Sequence, residues 1–117
     1  MFNFSSSLKM HLCVQPTDMR KSFDGLYAIA KNILELNPID GSLFIFCNKS
    51  HNRIKILYWD GTGFWVMAKR LEKGTFWWPK EKDCKSNRLD ISPEALGMLL
   101  NGIDLKEGNM RPWFQRG

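Results

Sequence analysis

The sequence predicts an α+β domain, an antiparallel β-meander with one helix before it and one after it. Apolar residues recur at helical spacing after Pro16 and again after Pro93. Between those stretches, runs rich in β-branched and aromatic residues alternate with Gly- and Asp-containing turns. Strands joined by turns that tight pair antiparallel, because a parallel pair needs a long crossover.

Met10 to Val14 reads as a short first strand, broken by Gln15-Pro16. Thr17 and Asp18 are residue types that cap helices. Phe23, Leu26, Ala30, Ile33 and Leu34 follow at helical spacing, and Asn37-Pro38 predicts an end at Leu36. Ser42 to Cys47 is the next strand, Asn48 to Asn52 a polar loop, and Arg53 to Trp59 the returning strand. Asp60-Gly61-Thr62-Gly63 is a hairpin turn that leads into a strand from Phe64 to Leu71. Glu72-Lys73-Gly74 turns again, into an expected strand over Thr75 to Trp78, ended by Pro79. Lys80 to Asn87 reads as a charged loop and Arg88 to Ile91 as a last short strand. Ser92-Pro93-Glu94 starts the second helix: a capping hydroxyl, a proline at the first position and an acid by the positive end of the dipole. Leu96, Leu99 and Leu100 form its apolar stripe, and Gly102 is its expected stop. Residues 1–7 read as an N-terminal extension, 8–105 as the single domain, and 106–117 as a loosely ordered tail.

A length of 117 residues suits one domain with one modest core. At 44% hydrophobic and 25% charged residues, the composition is that of a globular chain. No apolar run approaches the roughly 18 residues of a membrane span, so no membrane partner is expected. The first residues lack the basic start and apolar stretch of a secretory signal. Three cysteines without close spacing point to a reducing, cytoplasmic setting and no disulfide framework. Together with His11 and His51 they form no metal-ligand spacing, and no metal or other cofactor is expected.

The charge is uneven. Residues 42–88 hold ten basic and four acidic side chains, whereas the segments on either side are neutral or slightly acidic. Such a basic excess draws phosphate backbones or acidic protein surfaces, although a net charge of +5 also serves solubility. Along Arg53 to Trp59, alternation puts Arg53, Lys55, Leu57 and Trp59 on one face and Ile54, Ile56 and Tyr58 on the other. Lys69 shares a face with Trp65 and Met67, and Arg70 with Phe64 and Val66. Cations beside aromatics can grip phosphates and stack bases. The plainer reading keeps the aromatics in the core and the cations as solvated cover. Lys49 in the polar loop, and Arg20 and Lys21 ahead of the first helix, complete the candidate DNA-binding set of Arg20, Lys21, Lys49, Arg53, Lys55, Trp59, Lys69 and Arg70.

Catalysis has little to stand on. Asp18, Asp24, Asp60 and Asp104 would have to form a metal-holding carboxylate cluster, but Asp18 reads as a cap and Asp60 as a turn residue. There is no glycine-rich phosphate loop and no nucleophile paired with a base. Gly63-Phe64-Trp65-Val66 matches part of an RNA-recognition signature, but the element order is wrong for that fold.

Two segments are more specific than any of these. One is Pro16-Thr17-Asp18-Met19-Arg20-Lys21-Ser22-Phe23-Asp24-Gly25-Leu26. The other runs from Leu43 through Arg53-Ile54-Lys55-Ile56-Leu57-Tyr58-Trp59-Asp60-Gly61 and Lys69-Arg70-Leu71-Glu72-Lys73-Gly74-Thr75-Phe76 to Trp78-Pro79. Leu99-Leu100-Asn101-Gly102-Ile103-Asp104 also fits. Over about residues 8–105 the chain resembles the TnpB accessory proteins, second-reading-frame type, of the insertion-sequence-sixty-six family. The RNA-guided nuclease of the same name is unrelated. The resemblance implies a non-catalytic protein required for transposition of a bacterial insertion sequence, beside a separately encoded transposase that carries the catalytic acids. It supplies no catalytic residues. Many members have Gly at the position of Ser22, and many have an arginine-rich loop in place of Lys49 to Asn52. The leading expectation is direct DNA contact, at the element ends or the target, through the basic and aromatic sheet region. The alternative is an adaptor that binds the transposase, or the element's other accessory protein, without touching DNA. A homodimer through an unpaired edge strand is a further expectation.

Overall fold

A five-stranded sheet in the order β4-β3-β2-β1-β5 organises the molecule. The structure, a computed structural model, describes residues 8–102, so the expected N-terminal extension, the expected tail and Asp104 lie outside the described residues. The strands are β1 (Met10–Cys13), β2 (Leu43–Cys47), β3 (Arg53–Trp59), β4 (Phe64–Arg70) and β5 (Arg88–Ile91). The helices are α1 (Phe23–Ala28), continued by a π-helical turn over Ile29–Ile33, and α2 (Pro93–Leu100).

The α+β class holds, and β2, β3 and β4 form the expected antiparallel run with a helix on either side of it in sequence. β1 corrects its extent. It pairs parallel to β2, with Met10 opposite Leu43, and antiparallel to β5, with Met10 opposite Ile91. The long connection through α1 supplies the crossover that a parallel neighbour requires.

Thr75 to Trp78 is not a strand; Phe76 and Trp78 are instead plugs, 2% and 6% exposed, driven into the core from an irregular segment. The Trp78 indole N–H donates to the Cys13 carbonyl at 3.0 Å. The Phe76 and Leu71 N–H groups donate to the carbonyls of His51 and Asn52, so this segment lies along the β2–β3 loop. The expected loop of residues 80–87 includes a short 3-10 turn, Glu81–Asp83.

Alternation along the strands sends side chains to two separate cores. On one face Cys13, Phe44, Phe46 and Leu57 pack against Leu26, Ala30 and Leu34 of the first helical segment. On the other, Met10, Leu12, Leu43, Ile45, Ile54, Ile56 and Ile91 pack against Ala95, Leu96 and Leu99 of α2 and against the two plugs. The π turn decides which residues of the first helical segment point inward. Leu26, Ala30 and Leu34 are buried at intervals of four, while Ile33 is 41% exposed and Phe23 48%. The Leu34 N–H reaches back five residues to the Ile29 carbonyl, which rotates Ile33 out of the stripe that regular helical spacing gives it.

Neither Thr17 nor Asp18 caps α1. Ser22 stands at its N-cap without a side-chain bond, at φ −132°, so the serine meets no left-handed requirement there. Asp18 closes its own turn by accepting from the Arg20 N–H at 2.9 Å. The second helix follows expectation: Ser92 Oγ accepts from the Ala95 N–H, Pro93 opens the helix, and Gly102 ends it at φ 77°. No helix among the described residues is long and apolar enough to cross a membrane.

Candidate nucleic-acid interface

The Asp60–Gly63 turn sets the geometry of the candidate site. Asp60 Oδ1 accepts from the N–H groups of Thr62 and Gly63 and from the Thr62 hydroxyl, and its Oδ2 from the Trp65 indole N–H. These donors hold the Asp60 carboxyl down at about 2, the Thr62 N–H contributing most. The turn puts Trp59 opposite Phe64 and, six residues along, Arg53 opposite Arg70. Backbone bonds from Asp60 N–H to Gly63 C=O and from Leu71 N–H to Asn52 C=O bracket the ladder. Because hydrogen-bonded and non-hydrogen-bonded pairs alternate in an antiparallel ladder, Arg53 and Arg70 form a non-hydrogen-bonded pair, the kind whose side chains lie closest.

Two guanidinium groups therefore leave neighbouring positions on the α1 face of the sheet. Like charges directly opposite each other destabilise a sheet. Arg70 has one relief, an exposed ion pair with Glu72 at 3.0 Å, and such pairs are worth little in water. Among the described residues no carboxylate pairs with the side chains of Arg53, Lys49 or Lys21.

The loop beside Arg53 is held by Asn48. Its Oδ1 accepts from the N–H groups of Asn52 and Arg53, and its Nδ2 donates to Asn52 Oδ1. His51 takes φ 58° within this tight loop. Opposite it lies the Pro16–Met19 turn, and together they line an open groove of ≈ 380 Å³ that includes Lys49, Ser50 and Arg53. Lys55, two residues from Arg53 on the same face, donates its ammonium to the Lys21 carbonyl at 2.8 Å and so fastens the 18–21 turn to the sheet. Gly25 leaves room for the Lys21 stem; a Cβ there would stand 2.9 Å from Lys21 Cβ. Arg20 is clamped onto Asp18, its Nε and Nη2 donating to the carboxylate at 2.7–3.1 Å. That contact holds the Asp18 carboxyl down at about 2.

The structure thus brings six of the eight expected residues, Arg20, Lys21, Lys49, Arg53, Lys55 and Arg70, to one end of one sheet face. It separates the other two. Lys69 lies on the opposite face, where its ammonium donates to the Leu100 carbonyl at the C-terminus of α2. Trp59 stands at the far end of β3, about 20 Å from Arg53 at the usual strand rise. Its ring packs edge-on against Phe64 at 4.9 Å, and Phe64 against Tyr27 at 5.7 Å. The sequence reading missed the Arg53–Arg70 pairing and the part played by Asn48. Counting outward from the Asp60–Gly63 turn would have found the first.

The structure accounts for two of the candidate acids locally. Asp18 and Asp60 are occupied in their own turns, and among the described residues no group of three or more His, Cys, Asp or Glu side chains is placed to hold a metal. Burial pushes the Cys47 thiol up to about 12 and raises that of Cys13, so both behave as small apolar groups.

The family model described as IS66 Orf2 like protein matches residues 8–110. Two relatives come from Sinorhizobium fredii (strain NBRC 101917 / NGR234). Uncharacterized protein y4hO is 37% identical over 98 residues, covering 84% of this chain and 83% of the relative. Uncharacterized protein y4jC is 34% identical over 108 residues, covering 92% and 90%. No solved structure matches the chain. The chain belongs to the IS66 Orf2-like family, a family associated with transposition.

Proposed function

We propose that this IS66 Orf2-like protein serves transposition as a non-catalytic accessory factor that grips DNA through the cations gathered at the Arg53 end of the α1 face. The observation that carries this reading is the Arg53–Arg70 pair. Two arginines at directly opposite positions repel each other, and an anion bound between or above them would offset that cost. A phosphate suits the place, since each guanidinium offers it a planar fork of donors. Lys49 lines the groove beside Arg53, and Lys55 fastens the turn that carries Lys21 to the same sheet face, so Lys49 and Lys21 both add positive charge near the pair, where a phosphate backbone would be drawn. The separate transposase supplies the chemistry.

The test is a fluorescence anisotropy titration with labelled duplexes of the element's terminal repeat and a scrambled control, over a range of salt. Arg53→Gln with Arg70→Gln is expected to weaken binding and make the slope of log affinity against log salt shallower by about 2. The same double variant should melt no lower than the parent, because a like-charge pair has been removed. Lys69→Gln should leave the salt slope unchanged. Undiminished binding by the folded double variant would rule out this surface. No binding by the parent even at low salt would favour an adaptor that docks on the transposase.

A further inference from the structure

The geometry points to a two-fold dimer of this protein in which β4 pairs antiparallel with β4 of a second copy, centred on Met67. Among the described residues β4 is an edge strand of seven residues, with no proline or glycine to blunt it. The alternation that makes Arg53 and Arg70 a non-hydrogen-bonded pair leaves the N–H and C=O groups of Phe64, Val66, Ala68 and Arg70 facing outward. An antiparallel copy must present the same four residues. The Met67-centred register pairs all four, Phe64 with Arg70 and Val66 with Ala68 of the second copy, and reciprocally. Any slip leaves part of the ladder open.

Side chains agree with that register. Phe64 comes opposite the second copy's Arg70, and Trp65 opposite its Lys69, so each cation meets an aromatic ring and no like charges face each other. Trp65 is 47% exposed, and its indole N–H donates to Asp60 Oδ2, which fixes the ring on the face that meets the second copy's Lys69. Lys69 keeps its bond to the Leu100 carbonyl while its aliphatic stem lies across the strand. The two-fold axis runs perpendicular to the sheet and places both Arg53 clusters on the same side of a ten-stranded sheet. The two Arg70 residues stand about 20 Å apart along the strands.

The test does not use DNA, so its failure is separate from failure of the DNA-binding reading. Sedimentation velocity of the full chain over a concentration series should show a dimer. Ala68→Pro removes an outward N–H without touching the β3 ladder and should give a folded monomer by circular dichroism and sedimentation. In a Cys84→Ser background, Met67→Cys should form an intermolecular disulfide under mild oxidation, since the two Met67 positions face each other across the axis at a bridgeable separation. Val66→Cys, which faces Ala68 of the second copy, should not. A parent that stays monomeric overturns the proposal. A dimer unaffected by Ala68→Pro, or one that cross-links in the Val66→Cys variant and not in the Met67→Cys variant, overturns it equally.

Discussion

The Trp78 indole N–H donates to the Cys13 carbonyl at 3.0 Å, across 65 residues of chain and inside the core. It ties an irregular segment to the end of a central strand and satisfies a carbonyl beyond which β1 stops. Trp78→Phe keeps most of the apolar volume but leaves that carbonyl unpaired, and should lower stability by about 1–3 kcal/mol in urea denaturation. Trp78→Ala adds a cavity and should cost about 3–5 kcal/mol.

The π turn predicts opposite outcomes for adjacent residues. Leu34 is 4% exposed and Ile33 is 41% exposed. Leu34→Ala should destabilise by about 2–5 kcal/mol, and Ile33→Ala should stay within about 0.5 kcal/mol. Equal losses in chemical denaturation would mean that the segment is a regular α-helix facing the sheet through both.

Lys69 is expected to contribute to stability through its bond to the end of α2. Its ammonium meets the negative end of α2 at Leu100. Lys69→Met should reduce stability by about 0.3–1 kcal/mol, more at low salt than at high. A melting temperature independent of salt in the difference between parent and variant would count against the cap.

Asp60 makes stability depend on acid. Its folded value of about 2 lies below the ordinary 3.8, so in between the unfolded chain binds more protons. The contribution is full above about pH 4 and is lost as pH falls toward 2. Asp60→Ala should lower stability at neutral pH and flatten the acid limb of the stability profile over that window. Asp18, depressed to about 2 chiefly by the Arg20 side chain, acts in the same direction, so the double variant should be flatter still.

Much of this was legible in the residues. The hairpin turn at Asp60–Gly63, the capped start at Ser92 and the strand alternation that puts Arg53 with Lys55 are local signals, and local signals survive folding. The separation of Lys69 from Arg70 was legible for the same reason, because a strand has a period of two. Three features were not. A run such as Thr75 to Trp78 reads as a strand by composition, yet its aromatics are used as plugs, and only the tertiary setting decides that. The π turn changes which residues face inward without changing the apolar pattern. The parallel pairing of β1 depends on where a crossover lands, which nothing within the strand encodes. For the site, the sequence named the cations but not which of them the fold ties up. Arg20 and Lys55 turned out to be bound within the protein, and Trp59 to pack on Phe64.

The place of β1 in the sheet has a consequence for how the chain is made. β1 leaves the ribosome first, but its two neighbours arrive far apart in time: β2 soon after, and β5 near the end of the described chain. His11 waits for Asp90, 79 residues on, to which it bonds at 2.6 Å. The β2–β3–β4 hairpins involve only short-range closures and can assemble during synthesis, whereas the seam between β1 and β5 closes only after Ile91 has been made. A nascent chain stalled before Arg88 therefore presents the open flank of β1, with Leu12 and Cys13, as a sticky edge for chaperones or for other stalled copies.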